Sequence, residues 1–188
     1  LSAGKKVLYL NFSICNGFCK SMGLEPDVDM GDLFYLLRED EEALLAKLKS
    51  GIYPLGSYQI IPPPSNPEHY MEWRKGEVRH FLEILLEKTD FEVLVLDMGC
   101  VMNGFFEVLD LCGRIWILKE HRTSKDSGIE ELRELLEKFK AGLEERVEEV
   151  FLPGGQAWRE DGTIQVEEFY MGEVGNCVRR LLGGEYAS

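Results

Sequence analysis

Short apolar runs that alternate with longer helical periodicities constrain the fold of this chain more than any other feature. The predicted strands are residues 7–12, 58–61, 92–97, 114–118 and, more weakly, 147–152. The helical periodicities cover residues 32–37, 41–49, 70–88, 105–112, 129–142 and 174–182. The strands are rich in β-branched and aliphatic residues, as is typical of strands buried on both faces. Their alternation with helices predicts an α/β fold with a doubly wound, mainly parallel sheet and helices on both faces.

The chain length of 188 residues is that of one domain. We expect residues 1–152 to form the α/β domain. Residues 153–188 are expected to add a small β-hairpin and a helix to the same domain. The hairpin is predicted because Asp161-Gly162, a strong turn signal, lies between two short runs of strand-forming residues.

The charge of the chain excludes some classes of partner. Lysine and arginine total 21 against 34 aspartates and glutamates, which gives a formal net charge of −13. Phosphate backbones repel such a chain, so direct nucleic-acid binding is not expected. The longest apolar runs are far shorter than the roughly 20 residues of a membrane span, so no transmembrane segment is predicted.

The cysteines and the N-terminus bear on compartment and origin. Five scattered cysteines, an odd number, favour reduced thiols and a cytoplasmic location. The N-terminal segment has no apolar signal core and no initiating Met. We therefore expect Leu1 to mark a cut inside a longer protein.

A carboxylate at the end of a predicted strand is the strongest candidate for chemistry. Asp97 closes the apolar run at 93–96, and Gly99 follows it and lets the backbone turn sharply. Ligands of open α/β sheets bind at the carboxyl ends of the strands. An acid there commonly holds Mg²⁺ beside nucleotide phosphates. Asp97 is equally explained as a helix cap or turn residue, and the pattern alone leaves both interpretations open.

The order of these segments resembles that of the MinD/ParA class of P-loop ATPases, most closely its CpaE-like branch. The resemblance runs from Gly4 to Leu136 and rests on strand order and a few punctuating residues. These are Gly4-Lys5-Lys6-Val7-Leu8-Tyr9-Leu10-Asn11, the turn Asn16-Gly17-Phe18, Asp29-Met30-Gly31-Asp32-Leu33, Leu94-Val95-Leu96-Asp97-Met98-Gly99 and Cys112-Gly113-Arg114-Ile115-Trp116-Ile117-Leu118. It implies a nucleotide-binding domain with ATP and Mg²⁺ as cofactors of the intact protein. Family members act in septum placement, partition and the localisation of pilus or secretion machines.

The resemblance also assigns roles to particular residues. Asp97 matches the family's second acidic motif and would coordinate Mg²⁺, and Gly99 fits its turn. Asn11 and Ser13 stand where the family has aspartates that organise Mg²⁺ and the attacking water, at positions that face the γ-phosphate. An amide or a hydroxyl only hydrogen-bonds, whereas a carboxylate also brings charge, so no certain catalytic residue is present.

The largest departure from the family is the missing phosphate-binding loop. Such a loop needs Gly-x-x-x-x-Gly-Lys-Ser/Thr, whose backbone N–H groups and lysine surround the phosphates, and the sequence contains no such motif. Gly99 and Gly104 have the glycine spacing, but Phe105-Phe106 follows in place of the lysine and hydroxyl. In the family the loop lies just upstream of the position of Gly4. We therefore expect no cofactor for this chain, and a sheet without its central strand, its gap closed by rearranged pairing or by a second chain.

Other candidate sites are weaker. Arg122, in a polar loop after the strand at 114–118, could contact a phosphate or a partner's acids, while the plainer interpretation is a loop in which Ser124 caps the next helix. Cys15 and Cys19 lack partners at zinc spacing. Phe105-Phe106 could lie on a homodimer surface, because family members pair face to face across their nucleotides.

Two functions remain open at this stage. One is a fragment of a CpaE/MinD-like ATPase domain, inactive in hydrolysis as this chain, that helps to localise or assemble a cellular machine. The other is a non-catalytic interaction module on the same scaffold. Asp97 and Gly99 favour the first, and Asn11 and Ser13 favour the second. A protein partner is expected in both cases, and nucleotide only when an upstream loop is present.

Overall fold

The computed structural model describes residues 5–13, 17–56, 58–66, 68–99, 101–119, 127–152 and 172–182. The strands are β1 (Val7–Asn11), β2 (Tyr53–Leu55), β3 (Tyr58–Ile61), β4 (Val93–Asp97), β5 (Ile115–Lys119) and β6 (Val147–Phe151). The helices are α1 (Phe18–Ser21), α2 (Met30–Glu39), α3 (Glu41–Gly51), α4 (His69–Glu72), α5 (Glu77–Lys88), α6 (Phe105–Leu111), α7 (Ser127–Phe139) and α8 (Glu173–Leu182). A 3₁₀ turn at Glu144–Arg146 leads into β6.

The strands form a mainly parallel arrangement, as predicted. The first sheet has the order β2-β3-β1-β4, with β1 parallel to both β3 and β4, and β2 antiparallel to β3. The second contains β5 and β6, which are parallel to each other. The expected mixed α/β fold is thus confirmed. Within the described residues no hydrogen-bonded ladder joins the two sheets. The missing central strand and the way in which its gap is closed stay predictions.

The main core lies on one face of the first sheet. Leu8, Leu10 and Phe12 alternate along β1 and its end, so all three point to this face and all are fully buried. Trp73 packs there with its ring 4.1 Å from that of Phe34 and 5.6 Å from that of Phe12. Burial of such large rings supplies much of the driving force that holds the helices on the sheet.

Helix α6 connects the two sheets and contacts the core of each. Val108 is fully buried in the main core, and the adjacent residue Leu109 packs in a second cluster with Leu136 of α7 and Val147 of β6. Neighbouring residues of a helix point in directions about 100° apart, so one short helix can serve two cores. Helix α6 therefore contributes a buried side chain to each core.

The region around residue 73 corrects one prediction. The periodicity at 70–88 predicted a single helix, whereas α4 ends at Glu72 and α5 begins at Glu77. Trp73 is extended, with φ −66° and ψ 133°, and 1% exposed. The chain leaves the helix there because this conformation lets the indole enter the core. Gly76, in the left-handed region at φ 86°, starts the next helix.

The segment before β3 holds a strand that the sequence analysis missed. β2 pairs with β3 through a tight turn at Gly56, whose φ is 60°. Pro54 lies in β2, which is an edge strand, where a residue without an N–H is tolerated. The predicted C-terminal helix is confirmed as α8, whereas the predicted hairpin at 156–166 lies outside the described residues.

Helices of the described residues are all too short or too polar to cross a bilayer.

Candidate functional site

The carboxyl ends of β1 and β4 bring together the residues that the sequence singled out. Asn11 is directly opposite Asp97 in the parallel register, and the Phe12 N–H donates to the Asp97 carbonyl over 2.8 Å. Ser13 lies two residues after Asn11, and Gly99 lies two residues after Asp97. Four predicted site residues thus lie at one edge of the sheet. The two at the end of β1 and the two at the end of β4 are at least 84 positions apart in the chain.

The Asp97 carboxylate accepts hydrogen bonds from two hydroxyl groups. The Tyr9 hydroxyl donates to Oδ2 over 2.7 Å, and the Ser13 hydroxyl makes a longer contact of 3.4 Å with Oδ1. The side chain is therefore not the cap of α6, which begins after Gly104 without a side-chain cap. Two donors hold the carboxylate in place and leave lone pairs of both oxygens available to a further ligand.

Tyr9 is a site residue that the sequence analysis missed. It lies two residues before Asn11 and so on the same face of β1, opposite Val95. Its ring stacks on Phe18 with centroids 5.4 Å apart and meets Tyr58 edge-on at 6.4 Å. Burial, and next the adjacent Asp97 carboxylate, raise the pKa of Tyr9 far above its usual range, so the phenol stays a donor. The alternation of side chains along β1 predicts that Tyr9 and Asn11 share a face. Only the pairing of β1 with β4 places the Asp97 carboxylate within reach of the Tyr9 hydroxyl.

Asn11 is the most deeply buried polar residue of the site. It is 1% exposed, its Oδ1 accepts the Ser13 N–H at 2.8 Å, and its carbonyl accepts the Tyr70 hydroxyl at 2.9 Å. Among the described residues, its buried Nδ2 has no hydrogen-bond partner. A buried donor left unpaired costs about 1–3 kcal/mol, so an acceptor that reached this group would be bound favourably.

Gly99 is needed for a reason more specific than a sharp turn. A Cβ at this position would lie 1.9 Å from the Ser13 Oγ and 3.0 Å from its Cα. The chain after β4 passes so close to the end of β1 that no side chain fits between them. This close approach keeps the Ser13 hydroxyl beside Asp97.

The donor set matches a metal that is shared with a ligand rather than one enclosed by protein. No group of three or more His, Cys, Asp or Glu side chains within the described ranges could hold a metal ion. Mg²⁺ in nucleotide sites uses one or two carboxylates together with phosphate oxygens and water. Asp97 supplies one carboxylate and Asn11 a free N–H donor. These two residues therefore fit one side of a binding site for Mg²⁺ and a phosphate group.

Other candidates from the sequence fall in different places. Arg122, Ser124 and Cys15 lie outside the described residues, so their predicted roles stay predictions. Phe105 and Phe106 are half-buried in the second cluster, and the Phe106 ring stacks on that of Phe139 at 5.5 Å. The structure thus gives this pair a packing role within the chain, and its place on a homodimer surface stays a prediction.

Comparison with known proteins adds the family context. No protein-family model and no curated protein matches the chain. Among solved structures, a ParA family ATPase from Chlorobium tepidum matches 79% of the chain with a TM-score of 0.59 at 17% identity. The chain has the fold of MinD/ParA-type P-loop ATPases. At such low identity the likeness shows the fold alone.

Two further structures with this fold differ in what they bind. Cobyrinic acid a,c-diamide synthase from Mycobacterium smegmatis, with bound ADP and magnesium, matches 96% of the chain and 70% of its own length, with a TM-score of 0.54 at 12% identity. The MinC:MinD cell division complex of Aquifex aeolicus matches 91% of the chain and 66% of its own, with a TM-score of 0.53 at 15% identity. The chain spans 61% of the length of the ParA family ATPase.

Proposed function

We propose that this chain forms part of a nucleotide-binding domain of the MinD/ParA type, in which Asp97 coordinates Mg²⁺ beside the nucleotide phosphates. The observation that carries the proposal is that Asp97 lies directly opposite Asn11 at the carboxyl edge of β1 and β4, and that the buried Nδ2 of Asn11 has no hydrogen-bond partner among the described residues. Ligands of parallel α/β sheets bind at this edge. The ADP and magnesium of the cobyrinic acid diamide synthase, which shares the fold, agree with this ligand class.

Each residue of the site has a separate task in this proposal. Asp97 holds the metal directly or through water, and Tyr9 and Ser13 orient the carboxylate. Asn11 donates from Nδ2 to a phosphate oxygen. Bound Mg²⁺ would neutralise phosphate charge. The phosphate-binding loop has to come from residues other than these 188, because no such motif occurs among them.

Hydrolysis by this chain is not expected. Asn11 and Ser13 are neutral at the positions where the resembling family carries aspartates, so no carboxylate there orients the attacking water. The domain would bind nucleotide as a switch for a protein partner, in the localisation or assembly of a cytoplasmic machine. The MinC:MinD complex is a precedent for a protein partner within this fold, and a homodimer is part of the proposal.

A second candidate is a non-catalytic interaction module. Both Asp97 oxygens already accept hydroxyl donors from the protein, so the carboxylate is satisfied without any ligand. On this view the scaffold remains and nucleotide chemistry is lost.

Nucleotide titration decides between the two. The chain alone and a version extended upstream along its gene would be titrated with a fluorescent ADP analogue, with Mg²⁺ and with EDTA. We expect binding by the extended version only, and a roughly tenfold loss of the Mg²⁺-dependent part in Asp97→Asn, as for other groups that hold or orient a metal. Asp90→Asn, an exposed carboxylate outside the site, is the matched control. Absence of binding by the extended version would favour the interaction module.

A further inference from the structure

A cleft of about 350 Å³ lies between the end of α2 and the start of α5. The side chains that line it are those of Leu37, Arg38, Arg74, Lys75, Glu77 and His80. Protein sites for small ligands have volumes of about 300–1,000 Å³, so this cleft has room for a small molecule or for one side chain of a partner. None of its lining residues belongs to the Asp97 site.

The charge of this cleft is opposite to that of the chain. Two arginines and a lysine bring three positive charges to the lining, and Glu77 brings one negative charge. The chain as a whole has 34 acidic and 21 basic residues. Cations gathered around a cleft attract anions to it, because the cleft focuses their field. The expected ligand is therefore an anion.

Arg38 and Glu77 form a fixed wall of the cleft. Nε and Nη2 of Arg38 donate to the two carboxylate oxygens of Glu77, each over 2.8 Å, and Nη2 also donates to the Glu72 carbonyl over 2.9 Å. The hydrogen bonds from Arg38 lower the pKa of Glu77, so the carboxylate stays charged and is neutralised by its partner. The Arg74 N–H donates to Oε2 of Glu77 over 2.8 Å, so the same pair fixes the backbone at Arg74.

The other cationic groups of the cleft are available to a ligand. Arg74 and His80 are exposed, and neither side chain makes a hydrogen bond or an ion pair in the part of the chain that the structure describes. Lys75 pairs with Glu107 over 3.1 Å, but its side chain is 79% exposed. Such surface ion pairs contribute little to stability, so the ammonium group is free to turn to a ligand.

This set of donors favours a phosphate monoester over a carboxylate. A guanidinium donates two parallel N–H bonds to either anion. A carboxylate has only two oxygens and one negative charge, so Arg74 alone satisfies it. A phosphate monoester carries a charge of about −1.5 to −2 at pH 7 and has three terminal oxygens. It therefore keeps acceptors for Lys75 and His80 when Arg74 is bound.

We propose that the cleft between α2 and α5 binds a phosphate monoester, with Arg74 as the bidentate donor and Lys75 and His80 as further donors. The phosphate belongs to a small metabolite or to a phosphorylated side chain of a partner protein. This inference goes beyond the proposed function. It requires neither nucleotide nor Mg²⁺, because the cleft shares no residue with the Asp97 site.

Amide chemical shifts of the unmodified chain locate the ligand. The ¹⁵N-labelled protein, in EDTA, is titrated with glycerol 3-phosphate and with the peptide Ala-phosphoserine-Ala, and the ligand that binds more tightly identifies the source of the phosphate. We expect saturable shifts at Lys75, Gly76 and His80, and none at Ser13 and Gly99. Glycerol and Ala-Ser-Ala are the controls. Absence of saturable shifts in the cleft with both phosphates, or equal shifts with the controls, would overturn the proposal.

Replacement of Arg74 tests the bidentate contact. Arg74→Gln removes charge-assisted hydrogen bonds, so the affinity for the tighter ligand should fall at least about tenfold. Its side chain has no partner to lose within the described residues, and an unchanged amide spectrum away from the cleft checks the fold. Arg79→Gln is the matched control, because Arg79 pairs with Glu83 and does not line the cleft. Undiminished binding by Arg74→Gln, or equal losses in both variants, would overturn the proposal.

Discussion

The hydroxyl of Tyr9 donates a hydrogen bond of 2.7 Å to the carboxylate of Asp97, a residue of the neighbouring strand that lies 88 positions further along the chain. This bond ties the aromatic face of β1 to the candidate metal ligand at the end of β4. Tyr9 is held in turn by its ring contact with Phe18. The orientation of the carboxylate therefore depends on packing as well as on its own strand.

Replacement of Tyr9 tests the strength of this bond. Tyr9→Phe keeps the ring contacts and removes one donor to a charged acceptor, so the free energy of unfolding should fall by about 1.5–3 kcal/mol, measured by urea denaturation. Tyr58→Phe is the matched control, because Tyr58 lies on the same face and bonds no carboxylate in the described structure. Equal losses for both variants would contradict the assigned role of the Tyr9 hydroxyl.

The raised pKa of Tyr9 predicts loss of stability in alkaline solution. In the unfolded chain this phenol ionises near pH 10, whereas in the folded chain burial and Asp97 keep it neutral to higher pH. The stabilisation is thus complete below about pH 10 and is lost as the pH rises from there towards the folded pKa. Urea midpoints between pH 8 and 11 should fall less steeply in Tyr9→Phe than in the unmodified chain. Parallel curves would show that Tyr9 titrates normally.

The contact of Gly99 with Ser13 predicts a coupled pair. Gly99→Ala should lower the free energy of unfolding by about 1–3 kcal/mol, because the new Cβ overlaps the Ser13 side chain. Ser13→Gly removes the overlapping Cβ and Oγ, so the double variant should recover at least about 0.5 kcal/mol relative to additivity. Denaturation of all four proteins measures the coupling. Strictly additive losses would mean that the cost at Gly99 arises from the backbone.

Substitution of Asn11 tests the electrostatics of the site. Asn11→Asp preserves the acceptor for the Ser13 N–H but buries a second carboxylate opposite Asp97. An uncompensated buried charge should lower stability at pH 7 by about 3 kcal/mol. Mn²⁺, used as a Mg²⁺ analogue, should raise the melting temperature of this variant more than that of the unmodified chain, because it binds between the two carboxylates.

The double variant Asn11→Asp/Asp97→Asn restores a single carboxylate and is the control. It should regain most of the lost stability and respond to Mn²⁺ no more than the unmodified chain does. A variant Asn11→Asp as stable as the unmodified chain, with no response to Mn²⁺, would contradict the arrangement of the two side chains at one edge.

Much of the site could be predicted from local pattern. The pattern predicts Asp97 and Gly99 as site residues because they follow an apolar run, and the carboxyl end of a strand is where α/β sheets bind ligands. The roles of Tyr9 and of the Asn11 amide are not predictable in this way. The Tyr9 hydroxyl finds Asp97, and the Asn11 Nδ2 finds no partner among the described residues, because of which strands pair. A break such as that at Trp73 is also invisible to periodicity, because the core, not the local sequence, favours the extended conformation.

The sequence by itself determined the net negative charge, the alternation of strands and helices and the carboxylate at the end of β4, because composition fixes the first and neighbouring residues in the chain fix the other two. Only the tertiary structure decided that β1 lies between β3 and β4 and that Tyr9 reaches Asp97. The hydrophobic period of a strand specifies which residues are buried but not which strand lies alongside. That choice depends on tertiary packing, such as that of Phe34 and Trp73 in the core beside β1.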